Sequence, residues 1–213
     1  MIPFPKSQHR VLYIDPPWKY EMYSDAGKER SPDRHYDCMT QEELLAMRDD
    51  ILFATAPDAV MIMWTTFAAG NVGGKVVDHL ADALELLRAW GFQRVTGGPW
   101  IKRAGTGNPA MGTGYTMRGS AELFLVGTCG SPKVKHHRQR NLLLTGDWPQ
   151  SISEIESVIV DTRRREHSRK PEEMYPLIEA LFEGPYLEIF GRTQRPGWTV
   201  WGNQTDKFTA GAA

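Results

Sequence analysis

Four consecutive residues near the start of the chain, Asp15, Pro16, Pro17 and Trp18, are of types suited to binding an amino group. They follow the apolar residues 11–14, which predict a buried strand. An ionised carboxylate only accepts hydrogen bonds, and prolines have a fixed φ and no N–H group. We therefore expect the proline carbonyls to be free acceptors in a rigid arc beside Asp15. Trp18 adds a flat surface on which a planar ring can stack.

The same tetrapeptide has a simpler interpretation as a turn that only ends the strand. Asp-Pro is a common turn dipeptide, and an acidic side chain readily hydrogen-bonds its own backbone in such a turn. These four residues alone do not separate the two interpretations, so the rest of the chain has to decide between them.

Composition restricts the class of protein. The chain has 213 residues, of which 41% are hydrophobic and 24% charged, so we predict one soluble domain over residues 1–213. With a net charge of -1, nucleic acid would have to bind at a local basic patch. Residues 133–140 and 163–170 are basic enough for this, although such runs are usually solvated loops. Two cysteines in dissimilar settings suit a reducing cytoplasm, and no window suggests a leader or a membrane span.

Strands that alternate with helices predict an α/β fold with a mainly parallel sheet covered on both faces. Predicted strands occupy residues 11–14, 59–65, 92–103, 121–127, 157–161, 186–191 and 198–202. Predicted helices begin at the Thr40–Glu43 capping box and run to about residue 52, cover residues 75–90, and extend from Pro171 to about residue 184. Residues 19–37 predict a long mobile surface loop. In such sheets the carboxyl ends of the strands form the ligand crevice, where Asp15 would lie.

Four motifs give the chain a specific resemblance. They are DPPW at residues 15–18, HSRKPEEMYPLIE at 167–179, LEIFGR at 187–192 and GWTVWGNQ at 197–204. In order and spacing they resemble the DPPW-type adenine-N6 methyltransferases, the family named for the seventy-kilodalton catalytic subunit of mRNA adenosine methyltransferase, and in particular its bacterial or phage DNA branch. The resemblance implies S-adenosylmethionine as the methyl donor and a Rossmann-like sheet. It also implies a permuted order, with the catalytic tetrapeptide early and the cofactor strand late.

The resemblance also implies roles for individual residues. The DPPW residues would be catalytic, and the cofactor would contact Asp15, Lys170, Gly191, Arg192, Thr193, Gln194, Asn203 and Gln204, with Lys170 facing its carboxylate or ribose. Tyr36, Trp100 and Glu122 would lie near the substrate base. Taken alone, the residues after the last two strands suit a turn and a solvated charge equally well, and Tyr36 suits a loop anchor. Only fourteen residues precede Asp15, so the upstream wall that larger relatives give the adenine pocket would be short or absent.

The expected reaction is a direct methyl transfer to an adenine amine held by Asp15 and the Pro16 carbonyl, without a metal and without a cysteine nucleophile. We expect DNA rather than RNA as the substrate, because the chain is compact and carries no appended RNA-binding module. The alternatives are an RNA adenine-N6 methyltransferase, a catalytically silent nucleic-acid-binding partner subunit, or an enzyme that methylates another amine, such as cytosine N4 or that of a small molecule. The intact DPPW motif, Lys170 and Asn203 argue against the silent partner. A homo-oligomer or a partner subunit stays open.

Overall fold

The computed structural model describes residues 2–19, 38–72, 75–102, 108–112, 116–145, 160–162 and 170–207. Tyr36, nearly all of the predicted loop 19–37 and most of the basic residues 163–170 lie outside these ranges. The strands are β1 (His9–Ile14), β2 (Thr55–Thr65), β3 (Ala69–Val72), β4 (Lys75–Asp78), β5 (Gln93–Ile101), β6 (Ala121–Cys129), β7 (Leu143–Thr145), β8 (Val160–Thr162), β9 (Tyr186–Ile189) and β10 (Trp198–Trp201). The helices are α1 (Gln41–Ala46), α2 (Arg48–Ala54), α3 (His79–Ala89) and α4 (Met174–Leu181).

Eight of the strands form one sheet in the order β10-β9-β1-β2-β6-β5-β7-β8. Both neighbours of β6 pair with it in antiparallel fashion, and every other neighbouring pair is parallel. All strands except β6 therefore run the same way, so the carboxyl ends of β1, β9 and β10 share an edge with the amino end of β6. The mainly parallel α/β sheet predicted from the sequence is confirmed.

The helices cover both faces of this sheet, as predicted. Leu12 and Ile14 of β1 point into a core completed by α1, α2 and α3. The alternate residues Val11 and Tyr13 point into a second core completed by α4. A strand buried on both faces needs a mainly apolar run, which explains why β1 has no charged residue between Val11 and Ile14.

The capping box predicted at Thr40 and Glu43 is present, because each side chain accepts a hydrogen bond from the backbone N–H of the other residue. The single helix predicted there is instead two short helices that meet at Met47. Among the described residues, no helix is both long and apolar enough to cross a bilayer.

The helix predicted from residue 75 begins later, at His79. Residues Lys75–Asp78 form β4, which pairs with β3 as a separate antiparallel hairpin. Asp78 then caps α3, since its carboxylate accepts from the N–H groups of Leu80 and Ala81 at 3.1 and 3.0 Å. β-Branched Val76 and Val77 fit a strand as well as a helix face, so their spacing was misleading.

Candidate active site

The site lies at the edge of the sheet where β1, β9 and β10 end and β6 begins. Asp15 follows the last residue of β1, Phe190 follows β9, and Glu122 is the second residue of β6. The strand order places β9 beside β1 and puts only β2 between β1 and β6. The sheet thus brings the tetrapeptide, the late glycine-bearing strand and, because β6 is antiparallel, Glu122 to one edge.

The backbone of the tetrapeptide is held by two hydrogen bonds. The Pro16 carbonyl accepts from the Trp18 N–H at 2.8 Å, which closes a three-residue turn, and the Pro17 carbonyl accepts from the Met39 N–H at 2.9 Å. The expectation that both proline carbonyls are free acceptors is therefore wrong. Each carbonyl oxygen still has a second lone pair, so the turn is rigid without losing all of its capacity to bind an amine.

Trp18 is placed differently from the open stacking surface expected from the sequence. Its side chain is only 5% exposed and belongs to the core under α1–α3. The indole packs against the His79 ring, with centroids 5.3 Å apart. In this arrangement Trp18 anchors the turn from below, because a large buried ring fixes the backbone that carries it.

Four charged side chains form an alternating row across the sheet edge, which we call the charge row: Asp15, Lys170, Glu122 and Lys102. The Lys170 ammonium lies 2.9 Å from Asp15 Oδ1 and 3.1 Å from Glu122 Oε2. The Lys102 ammonium pairs with the other oxygen of Glu122, Oε1. The row places the predicted catalytic Asp15 next to the predicted substrate residue Glu122. It also places Lys170 between two carboxylates, a position that the sequence did not indicate.

The row keeps Glu122 ionised. Burial alone would raise the pKa of this carboxyl, but Lys170 and Lys102 more than offset that effect and lower its pKa to about 2. Charged groups removed from water keep their charge only where opposite charges and hydrogen bonds stabilise them. At neutral pH the site therefore holds a fixed negative charge at Glu122.

A cavity of about 330 Å³ opens beside Asp15 and has the mixed lining that a nucleoside-containing cofactor needs. Its apolar wall includes Phe190 and Trp201, whose rings are 5.5 Å apart. Its polar groups come from the residues predicted to contact the cofactor, which include Asp15, Arg192, Asn203 and Gln204. Amide and guanidinium groups suit hydroxyl, purine and carboxylate partners, so the residues present fit S-adenosylmethionine.

The segment before β1 supplies part of this wall. Ile2 lines the cavity, and its carbonyl accepts a hydrogen bond from the Trp201 indole N–H at 3.2 Å. The Phe4 ring packs on Trp201 with centroids 4.9 Å apart. The upstream wall expected to be short or absent is thus formed in part by residues of the N-terminal segment.

Glycines let the ends of β9 and β10 approach each other closely. A Cβ at Gly191 would overlap the Val200 side chain, and a Cβ at Gly202 would lie 2.6 Å from the Gly191 carbonyl oxygen. Phe190, between β9 and Gly191, has φ of 65°, a left-handed conformation that is uncommon for a bulky residue. Such backbone strain is often found at ligand sites, and here Phe190 lines the cavity.

Three other predicted site residues, Thr193, Gln194 and Trp100, do not line the cavity. Thr193 is buried and Gln194 is exposed, and neither lines the cavity. Trp100 is buried in the α4-side core, where it packs edge-on against Trp64 at 5.8 Å. Their roles, like that of Tyr36, stay predictions.

Beside the charge row, Glu188 on β9 is a second unusual carboxyl. It accepts a hydrogen bond from the Tyr175 hydroxyl at 2.8 Å, and the Arg195 guanidinium lies 3.6 Å from the centre of the Tyr175 ring. Arg195 also pairs with Glu172. Burial raises the pKa of Glu188 to about 7, against the smaller lowering effects of Tyr175 and Arg195.

The sequence analysis missed Lys102 and Glu188 as members of this region. A lysine at a strand end and a glutamate within a strand look like ordinary surface residues. The signal for Lys102 was its position at the end of β5 facing the start of β6, where a basic and an acidic residue can pair diagonally. That signal requires the strand register, which the sequence alone did not supply.

Comparison with known proteins identifies the family. The family model described as MT-A70 matches residues 9–204. The chain is 29% identical over 205 residues to the Drosophila melanogaster N(6)-adenosine-methyltransferase MT-A70-like protein, a match covering 92% of this chain and 27% of that protein. It is 27% identical over 210 residues to the Cryphonectria parasitica N6-methyladenosine RNA methyltransferase MTA1, covering 93% and 52%.

The human N(6)-adenosine-methyltransferase catalytic subunit METTL3 is 26% identical over 205 residues, covering 92% of this chain and 28% of that protein. The chain thus spans between about a quarter and about half of the length of these relatives. Since the family model covers most of the sequence, the protein belongs to the MT-A70 family, whose methyl donor is S-adenosylmethionine.

Proposed function

We propose that this protein transfers the methyl group of S-adenosylmethionine to the exocyclic N6 amine of adenine in a nucleic acid. The observation that carries the proposal is the position of Asp15, which lines the cavity and also ends the charge row. One carboxylate can therefore lie between the cofactor and the reacting amine. Family membership and the identity of the relatives support the same reaction.

The residues of the chain bind and orient the amine. The Asp15 carboxylate accepts one N–H, and the second lone pair of the Pro16 carbonyl is available for the other. Two acceptors on one nitrogen favour a pyramidal geometry, which localises the lone pair that is otherwise delocalised into the ring. When bound, S-adenosylmethionine supplies an electrophilic methyl group on a cationic sulfur. We assign to Asp15 the further role of accepting the proton that the nitrogen releases. The fixed orientation of the amine toward the methyl group supplies much of the rate.

RNA is the better-supported polynucleotide. The relatives are described as adenosine methyltransferases, and the fungal one as an RNA methyltransferase. None of these descriptions supports the expectation of DNA, so we adopt the RNA alternative. The human relative is described as a catalytic subunit, which supports a partner subunit for this chain as well. The cytoplasmic location stays a prediction from composition.

The test is incubation of the purified protein with labelled S-adenosylmethionine and separate RNA and DNA pools, followed by mass analysis of the nucleosides. We expect N6-methyladenosine from RNA. N6-methyldeoxyadenosine from DNA alone would reverse the choice of polynucleotide, whereas methylcytosine or no nucleoside product would overturn the proposal.

A single substitution links this reaction to the site. We expect Asp15→Ala to abolish methyl transfer, because the amine loses its charged acceptor, while the affinity for S-adenosylmethionine measured by calorimetry falls only modestly. Asp49→Ala is the matched control, since this carboxylate on α2 is 95% exposed. Turnover by Asp15→Ala at the rate of the control would contradict the assignment of Asp15.

A further inference from the structure

We propose that Lys102 is a positioning residue for methyl transfer: it holds the Glu122 carboxylate, and through Glu122 it holds Lys170 against Asp15. The inference rests on the proposed function and adds to it a residue that does not contact the amine. Its evidence is the geometry of the charge row and of the side chains beneath it.

Glu122 connects the two lysines through separate oxygen atoms. Oε1 pairs with Lys102, whereas Oε2 lies 3.1 Å from the Lys170 ammonium. The orientation of the carboxylate is thus fixed by two cations on opposite sides. Without Lys102, rotation of the carboxylate would no longer be restrained, and the contact that keeps Lys170 within 2.9 Å of Asp15 would weaken.

Two indole rings support the lysines from below. The Lys102 ammonium lies 4.7 Å from the centre of the Trp100 ring, and that of Lys170 lies 5.5 Å from the centre of the Trp64 ring. The Trp64 indole N–H donates to the buried Tyr13 hydroxyl at 2.7 Å, which fixes the ring. Cations over aromatic faces are stabilised further by the ring quadrupole, so this arrangement favours charged lysines here.

The backbone places Lys102 firmly. Its N–H donates to the Ser120 carbonyl at 2.8 Å, and its carbonyl accepts from the Ala110 N–H at 2.8 Å. Because β5 and β6 pair with Trp100 opposite Glu122, Lys102 is a diagonal neighbour of Glu122 on the same face. The paired backbone fixes where the Lys102 side chain begins, and the contacts with Glu122 and the Trp100 ring hold its ammonium.

Among the described residues, the charged groups that face Glu122 are Lys102, just after β5, and Lys170, in the chain before α4, with Asp15 at the end of β1 beyond Lys170. Within the charge row, removing Lys102 leaves Asp15 and Glu122 to share the Lys170 ammonium. Burial, which opposes ionisation of Glu122, then has less to offset it, so the pKa of this carboxyl rises. A protonated Glu122 no longer attracts Lys170, and the site loses its alignment as the pH falls.

The test compares pH profiles of kcat and KM between pH 5 and pH 9 for the wild type, Lys102→Met and Lys102→Arg. In Lys102→Met we expect a new acidic limb in kcat, with activity falling about tenfold per pH unit below the raised pKa of Glu122. We also expect the kcat of Lys102→Met to return toward the wild-type value at high pH. Lys102→Arg, which keeps a positive charge, should show the wild-type profile. Arg48→Met, which removes the 3.2 Å pair with the exposed Asp49 on α2, is the control.

Two further measurements complete the test: a double-substitution cycle, and an NMR titration of Glu122 that does not depend on enzyme activity. If Lys102 acts through Glu122, Lys102→Met causes no further loss of activity in a Glu122→Gln background. If Lys102→Met damaged the structure independently, the two losses of activity would add. The Glu122 carboxyl is also titrated by carbon-13 NMR in the wild type and in Lys102→Met, with melting curves as the control for folding. An unchanged Glu122 titration, or a loss in Lys102→Met that is equal at every pH and additive, overturns the role of Lys102. An inactive wild type with a shifted Glu122 titration would instead refute the proposed function alone.

Discussion

At the scale of single residues, the site depends on side chains that serve two neighbours at once. Asp15 lines the cavity and pairs with Lys170, while Glu122 pairs with both lysines of the charge row. Sharing of this kind makes a constellation of charges mutually dependent, since removal of one member leaves another without compensation. The effects of substitutions in the charge row on activity should therefore be strongly non-additive. Each substitution along the polar cavity wall should affect only its own contact with the cofactor.

The polar wall gives a local prediction. Asn203→Ala should weaken binding of S-adenosylmethionine by about five- to tenfold, the equivalent of one hydrogen bond, because its amide lines the cavity. Gln194→Ala should change the affinity less, since Gln194 is exposed and does not line the cavity. Calorimetric titration of both variants measures the difference. Equal losses would favour the direct cofactor contact that the sequence predicted for Gln194.

At the scale of elements, the ends of β9 and β10 are joined by close backbone packing. The Gly191 N–H donates to the Trp201 carbonyl at 3.0 Å, and Gly202 lies against the Gly191 carbonyl with no room for a side chain. The two strands end in the residues that line the cavity, so their packing sets its shape. Replacing a glycine that is needed only for its positive φ should thus affect cofactor binding less than replacing a glycine that makes room for a neighbouring backbone.

Gly202→Ala tests that distinction. The added methyl group meets backbone atoms that cannot move aside, so we expect about 1–3 kcal/mol of destabilisation together with weaker binding of S-adenosylmethionine. Gly197→Ala is the control, because its φ of 79° strains alanine while the space around it is open. Both variants should melt at lower temperature, but only Gly202→Ala should lose affinity. Normal binding by a folded Gly202→Ala protein would show that the cavity does not depend on this contact.

Local patterns predicted elements well where one periodicity or one cap determined them. The Thr40–Glu43 capping box and the strands β1, β5, β9 and β10 are of this kind. The β3–β4 hairpin was missed because strand pairing, which a linear pattern does not record, overrode a helical spacing. The pairing of Lys102 with Glu122 and the hydrogen bond from the Met39 N–H to the Pro17 carbonyl were missed for the same reason, since each joins segments that are distant in sequence. The Pro16–Trp18 hydrogen bond is local, and it agrees with the turn interpretation of the tetrapeptide.

At the scale of the whole molecule, two carboxyl groups with opposite pKa shifts give stability an uneven dependence on pH. Glu122, with its pKa lowered to about 2, contributes stability above its unfolded value of 4.5 that is lost as the pH falls toward 2. Glu188, with its pKa raised to about 7, does the reverse. Its contribution is complete below 4.5 and is lost as the pH rises through about 7, because the buried group must then ionise. The folded chain should therefore lose stability on both sides of mildly acidic pH.

Glu188→Gln separates the two effects. Glutamine keeps an acceptor for the Tyr175 hydroxyl, which lies 2.8 Å from Glu188 Oε1, but it never ionises. The variant should therefore match the wild type within error at pH 5 and be more stable than the wild type at pH 8, as measured by denaturant unfolding at each pH. Glu179→Gln is the control, since this glutamate on α4 also accepts a hydrogen bond from an aromatic side chain, the Trp198 indole, at 2.7 Å. A Glu188→Gln protein less stable than the wild type at pH 8 would mean that the ionised carboxylate is stabilised by Arg195, and that burial does not determine its protonation.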